Sequence, residues 1–344
     1  MIKILCYLKL YALKNKSGGE LYLHYLLKQI KERYNEKVEI KVLLPENEEI
    51  KYFVYDGIDI YETNENNSLD YIKHCDVLIT QLDFAPKSLE YGLKLNKKCI
   101  LILHCHLSEY DKFIYNDKVL KIINSKNIFN LIKRENKNRE INNYFIIYPF
   151  TDFYKYNKHS MEIKDREYIT LVNPQRIKGG DVFLQLIKKF PNKKFLLVEG
   201  GYYPHLQELH RFKNLPNCHL VKNTDNMIDD VYNKSKIVLM PSRWDTWGMV
   251  ASESRAMGIP CICNKNCEGL VENMGKVNLY GNTPNEDANE NNINSYVDLI
   301  NLLDHKETYI LWSTYLMNEG FIMYEKQMKQ TNNFLDNFID FVNF

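Results

Sequence analysis

The sequence predicts an α/β protein made of two doubly wound halves. Three observations carry this. The chain has 344 residues, more than one ordinary core requires. Short apolar strands alternate with helical patterns, as parallel βαβ units with right-handed crossovers demand. The alternation also stops near residue 150 and restarts at Tyr168, so one α/β half, 1–152, is followed by another, 160–324, with the join near Phe150–Lys164.

The elements follow in order. Ile2–Cys6 is a short apolar strand, and Ser17-Gly18-Gly19-Glu20 leads into Leu21–Arg33, which has helical spacing at Leu23, Leu26, Leu27 and Ile30. Val38–Leu44 and Asp76–Thr80 are the next strands, Ser88–Leu95 a helix, and Cys99–Leu103 a buried strand ending at His104. Ile122–Asn124 and Phe145–Tyr148 close the first half. In the second half Tyr168–Val172, Lys194–Val198, His219–Val221, Ile237–Met240 and Pro260–Cys263 read as strands. Asp181–Phe190, Met227–Lys234 and Met249–Met257 read as helices. Asn282–Asn294 is a polar loop with little to bury, and the tail from Thr308 has helical spacing.

Composition excludes several classes. Hydrophobic residues are 45% and charged residues 26%, as in globular proteins, and a net charge of +1 gives no footprint for nucleic acid. No segment reaches the ~18 to 20 apolar residues of a membrane span. Met1–Cys6 runs straight into a strand, so no signal peptide is expected. Eight cysteines without framework spacing favour a reducing cytoplasm.

One segment carries chemistry. Pro241-Ser242-Arg243-Trp244-Asp245-Thr246-Trp247-Gly248-Met249-Val250 follows a strand and opens the helix that holds Glu253. A loop feeding a helix N-terminus at the carboxyl edge of a parallel sheet binds phosphates, because free backbone N–H groups and the helix dipole favour anions. Gly248 allows close backbone approach. Asp245 and Glu253 are acceptor-only groups, suited to sugar and ribose hydroxyls.

This segment resembles the E-x7-E region of retaining glycosyltransferases of the GT-B fold, most closely glycosyltransferase family 4. The shared positions are Pro241, Ser242, Gly248, Glu253, Ala256, Gly258 and Pro260; the first acid of the pattern is Asp245 here. Ser254-Arg255 stands where the family usually has Ala-Met or Ala-Leu. Upstream, Val172 to Asp181 resembles the family's strand, Lys-Gly turn and helix, with Lys178 matching the Lys and Arg176 as second cation. Ser17-Gly18-Gly19-Glu20 resembles the first Gly-rich loop. His104 falls where the family often has a His on the donor sugar, with His106 as its rival.

The resemblance implies two Rossmann-like domains facing across a cleft, with the tail, about 325–344, crossing back to the first domain. It implies transfer of a sugar from a UDP- or GDP-linked donor to a glycan, lipid or small-molecule acceptor, with retention of configuration. Gly18, Gly19, Arg176, Lys178, Trp247, Gly248, Met249, Val250 and Glu253 would hold the donor. His104 and Asp245 would act at the sugar. No cofactor and no metal is expected, since the carboxylate pair Asp-x-Asp is missing from the sequence.

Other readings stand beside these. A nucleotide-sugar epimerase or hydrolase, or a non-catalytic binder, fits the same architecture. Trp244 and Trp247 either stack on a ligand or pack in the core. Cys261, Cys263 and Cys267 read as buried thiols before a zinc site. The basic stretch Lys118–Arg139 reads as a solvated helix or as a peripheral contact with an anionic membrane.

Overall fold

A computed structural model describes residues 1–12, 17–46, 49–137, 139–158, 166–201, 204–277 and 279–343. The chain divides into two compact units, Met1–Phe150 with the tail from Gln327, and Thr151–Lys326. Of the expected join, residues 159–165 lie outside the described residues.

In the first unit, eight strands form one sheet. They are β1 (Ile2–Tyr7), β2 (Val38–Leu44), β3 (Lys51–Tyr55), β4 (Ile58–Glu62), β5 (Val77–Gln81), β6 (Lys98–Leu103), β7 (Val119–Ile123) and β8 (Tyr144–Ile146). Their order is β3-β4-β2-β1-β5-β6-β7-β8, and every pair is parallel except β3 with β4. Helices α1 (Gly18–Tyr34), α2 (Glu65–His74), α3 (Ala85–Lys94), α4 (Asp111–Ile114) and α5 (Lys126–Glu135) supply the crossovers and covering layers. Leu23, Leu27 and Ile30 of α1 bury against Ile4, Val42 and Ile100 on one face. Leu89 of α3 and Ile128 and Ile132 of α5 cover Leu101 and Ile123 on the other.

The second unit holds β9 (Tyr168–Val172), β10 (Lys194–Val198), β11 (Cys218–Val221), β12 (Ser235–Met240), β13 (Cys261–Asn264) and β14 (Tyr280–Gly281). They lie in the order β11-β10-β9-β12-β13-β14, all parallel. Its helices are α6 (Phe153–Lys158), α7 (Gly180–Lys189), α8 (Met227–Asp230), α9 (Met249–Ala256), α10 (Glu268–Met274), α11 (Asn294–Leu302) and the first part of α12 (Lys306–Asn343). Val182, Phe183 and Leu186 of α7 fill one face; Ala251 of α9 and Leu270 and Met274 of α10 fill the other. The end of α12 belongs to the first unit, where Phe334 and Phe338 are fully buried. Burying each ring contributes about 1.5–3 kcal/mol, which anchors the tail there.

The strand order turns back between β1 and β5 in the first unit and between β9 and β12 in the second. Beyond the carboxyl ends of the strands, such reversals open the crevice in which doubly wound sheets bind ligands.

Four expectations need correction. First, the hairpin β3–β4 and helix α2 went unread, although Asp56 and Gly57 both have positive φ (48° and 74°) and Asp-Gly is a two-residue hairpin signal. The strand Lys51–Tyr55 is an edge with no alternating burial, so periodicity could not find it. Second, Met227–Lys234 is not one helix. It stops at Asp230, and Tyr232–Lys234 forms a separate 3₁₀ turn. Third, Lys118–Arg139 is not one solvated helix: Val119–Ile123 is a fully buried strand, and only Lys126–Glu135 is helical. Lys121 itself is buried, donating from Nζ to the carbonyls of Asn116 and Val119. Fourth, the Asn-rich loop buries Thr283, Ala288 and Ile293 and is held in place as described below.

Candidate active site

The crevice of the second unit is built from the loops after β9 and β12. Asn173 leaves β9 in the left-handed region, with φ of 64°. Asn tolerates that conformation because its short amide bonds locally. Gly179 also has positive φ (86°) and lies so close against Pro241 that a Cβ would collide with it. The turn is tied to the second loop by Arg243 N–H donating to Ile177 O at 2.8 Å. At its tip Lys178 Nζ donates to Asp245 Oδ2 at 2.8 Å, with only 27% and 14% of the two side chains exposed. A cation and a carboxylate, 67 residues apart in sequence, thus share one position.

Arg176 does not join them. Its Nε donates to Asp287 Oδ1 at 2.7 Å and its Nη2 to Asn285 O at 3.2 Å, on the Asn-rich loop. The pair is half-exposed or more, so it contributes little by itself.

Arg243 was not singled out from the sequence, yet it organises the site. Its Nη1 and Nη2 grip both carboxylate oxygens of Asp181 at 2.8 and 2.7 Å. The remaining N–H groups donate to the carbonyls of Pro284 (3.0 Å), Arg176 (2.7 Å) and Glu286 (2.9 Å). All five guanidinium donors are used. This one side chain joins the Lys178 turn, the start of α7 and the Asn-rich loop.

Helix α9 starts at Gly248, whose φ of 80° is the left-handed conformation Gly adopts freely. The N–H groups of Met249 and Val250 precede any intrahelical partner and both residues are partly exposed. Trp247 is core: its indole is 2% exposed and its Nε1–H donates to Ser252 Oγ at 3.1 Å. Its ring therefore offers no stacking face, which corrects the donor-stacking reading, while Trp244 is 50% exposed. Asn273, fully buried on α10, donates from Nδ2 to the carbonyls of Trp247 (2.8 Å) and Gly248 (3.0 Å), fixing the loop's approach to the helix. Nothing in the local pattern marks Asn273; only the fold brings it there.

Glu253, one turn inside α9, is nearly buried. The hydroxyls of Tyr232 and Tyr156 hydrogen-bond its carboxylate. Burial pushes its carboxyl above the ordinary range, and the two hydroxyls and the charge of Lys155 oppose that rise.

In the first unit, the expected residues gather at the crevice between β1 and β5. Ser17 occupies the N-cap position of α1, which begins at Gly18-Gly19, with its hydroxyl donating to the Glu20 carboxylate. A Cβ on Gly19 would lie 3.6 Å from His104 Nε2, at the end of β6. That nitrogen is 2.8 Å from Gln81 Oε1, at the end of β5. Burial lowers the His104 pKa to about 4, so its ring is neutral near pH 7. His106 lies between two carboxylates, with Asp111 Oδ1 2.8 Å from Nε2 and Glu135 on Nδ1, and is held by them. Of the two rivals, His104 is the one beside the Gly-rich loop.

The cysteines Cys261, Cys263 and Cys267 are buried, with the first two sulfurs 3.6 Å apart. Among the described residues, no group of three His, Cys, Asp or Glu has a metal-holding arrangement. No described helix is long and apolar enough to cross a membrane.

Comparison with known proteins agrees with this geometry. Residues 155–305 match the family model described as "Glycosyl transferases group 1". A glycosyltransferase from Rickettsia africae ESF-5 is 14% identical, with a TM-score of 0.75, covering 99% of this chain and 98% of that one. HepE of Anabaena, crystallised with UDP-glucose, is 15% identical with a TM-score of 0.72, covering 99% and 100%. Sucrose-phosphate synthase from Thermosynechococcus elongatus is 13% identical with a TM-score of 0.69, covering 99% of each chain. A sequence search of curated proteins returned no significant match. Two Rossmann-like units, with a group 1 domain in the second, define a glycosyltransferase of the GT-B fold, and the chain is an enzyme of that class.

Proposed function

We propose that the chain transfers a sugar from a nucleoside-diphosphate sugar to a glycan, lipid or small-molecule acceptor, with retention and without a metal, in the manner of glycosyltransferase family 4. The observation that carries this reading is Lys178 beside Asp245 at the switch point of the second sheet, next to the open start of α9 with Glu253 one turn in. HepE was crystallised with UDP-glucose, and that is the donor class we assign here.

In this reading the diphosphate lies against the N–H groups of Met249 and Val250, where the helix dipole favours anions. Lys178 supplies the cation. As the donor bond breaks, charge grows on the leaving diphosphate, and a fixed ammonium and oriented amides stabilise it without reorganising. Arg176 joins them by leaving Asp287, an exposed pair that costs little to break. Glu253 accepts from the ribose hydroxyls. Asp245 accepts from a hydroxyl of the transferred sugar. In the first unit, Gly18 and Gly19 open a helix start to the substrate, and the neutral His104 ring exchanges a hydrogen bond with a sugar hydroxyl. Retention requires the acceptor to attack from the leaving-group face. The protein is proposed to work in the cytoplasm, and its acceptor decides whether it also touches a membrane.

A thermal-shift screen of nucleoside diphosphates and their sugars tests the donor class. Ligand at about 100 times its Kd adds about 2.7 kcal/mol of stability. Failure of UDP, GDP and their sugars alike to raise the melting temperature would overturn the proposal.

A further inference from the structure

The carboxylate of Glu253 is already partnered on one side, and the partners come from two different elements. Tyr232 precedes β12 and is fully buried; its hydroxyl donates to Oε2. Tyr156 lies on α6, the short helix that opens the second unit, and it too hydrogen-bonds this carboxylate. The two phenol rings stand edge to face, with centroids 6.1 Å apart, so each restricts the other's rotation. Helix α6 packs on α9, the helix that carries Glu253.

An ionised carboxylate has about four lone-pair positions and no donor. Two are taken by phenol hydroxyls, which leaves two for a ligand that donates two hydroxyls from adjacent carbons. A ribose 2′,3′-diol is such a ligand. Burial favours the protonated carboxyl, and a protonated carboxyl would donate where the diol needs an acceptor. Phenol donors oppose that change. The titratable and charged groups facing this cluster are Lys155 and Tyr156 on α6, Tyr232 before β12 and Cys261 on β13.

We infer that Tyr156 and Tyr232 are positioning residues that hold Glu253 in one orientation as a receptor for the ribose diol of the donor. This rests on the donor site proposed above and adds to it the requirement for the pair of phenols.

The test is calorimetric binding of uridine and guanosine diphosphates and of their 2′-deoxy forms to the full chain. It is run on the native protein, Tyr156→Phe and Tyr232→Phe, at pH 5.5 and pH 8. The native protein should prefer the ribo form by at least ~10-fold, the worth of one hydrogen bond to a charged group. Each Phe variant should weaken the ribonucleotide by ~10-fold while leaving the deoxy form almost unchanged, so that the preference collapses. The loss should be larger at pH 5.5, where an unsupported Glu253 takes up a proton. A variant that keeps the full ribo preference at both pH values would overturn the positioning role and leave the donor site standing. Equal weakening of ribo and deoxy forms would overturn it as well, since that marks a packing defect. Absence of nucleotide binding by the native protein would remove the donor site itself, and this inference with it. Tyr156 is only partly buried, so its variant keeps the test open if Tyr232→Phe fails to fold.

Discussion

Replacing Arg243 by Ala should cost the second unit about 3–5 kcal/mol, the range for removing one member of a buried ion pair. The basis is the environment of Asp181. Only 11% of the Arg243 side chain and 6% of the Asp181 side chain are exposed, and both carboxylate oxygens are gripped. Burial would raise the Asp181 pKa, but hydrogen bonds from Arg243 and from the Ala288 N–H, with the guanidinium's charge, hold it below the ordinary range. Without Arg243, Asp181 becomes a buried carboxylate supported only by main-chain donors, the N–H groups of Ala288 and of Asp181 itself, and three loop carbonyls lose their partner as well. The chain's three tryptophans, Trp244, Trp247 and Trp312, all lie in the second unit, so urea unfolding followed by tryptophan fluorescence reports on that unit. The pH dependence has a definite sign. A depressed folded pKa gives stability that is complete above the unfolded value of about 3.9 and fades as pH falls through the folded value. In Arg243→Ala the burial of Asp181 is no longer opposed, its pKa rises, and the variant loses stability as pH rises through that higher value. The gap between the two proteins should therefore be widest near neutrality and narrow below about pH 4. A loss under ~1 kcal/mol at pH 7, or a gap independent of pH, would refute the reasoning.

Three further outcomes are expected. Lys178→Ala and Glu253→Ala should each lower sugar transfer from the preferred donor by at least ~100-fold, measured as nucleoside diphosphate release with acceptor present, because each removes a charge-assisted contact. The ring protons of His104 should show no titration between pH 5.5 and 8 in an NMR series, since burial lowers its pKa to about 4; a midpoint near 6.5 would mean the ring is solvated. Gly248→Ala should destabilise the chain by about 1–3 kcal/mol in chemical denaturation, because its φ of 80° strains any L side chain and a Cβ there would meet Leu270.

Much of the architecture was legible because burial on both faces of a parallel strand writes a continuous apolar run. Tyr168–Val172 and Lys194–Val198 have the bounds read from the sequence, as does Val38–Leu44, whose first half instead alternates buried apolar with part-exposed charged residues. The hairpin at Lys51–Glu62 was not legible by the same rule, since its outer strand is exposed on both faces and only the Asp56-Gly57 turn betrays it. The core of the site was legible for a different reason: helix starts, Gly at positive φ and acids at fixed offsets are local features. Gly248 and Glu253 are set by six residues of chain, which makes their place at the helix start legible, while the loop's approach and the orientation of Glu253 depend on Asn273, Tyr156 and Tyr232. Lys178 and Asp245 meet only because β9 and β12 are neighbours, which the resemblance supplied and spacing did not. Arg243, Asn273, Tyr156 and Tyr232 act through partners 18 to 97 positions away, so no window of sequence could mark them. Arg176 shows the reverse case. Its place in a basic turn suggested a phosphate contact, yet the Asn-rich loop brings Asp287 to it, and a loop judged to have little to bury gave no warning.

A crystal of the chain grown with UDP or GDP measures the central assignment directly. Phosphate oxygens within hydrogen-bond reach of the Met249 and Val250 N–H groups and of Lys178 Nζ, with the pentose on Glu253, are the result expected. A nucleotide bound elsewhere, with the start of α9 unoccupied, would contradict it.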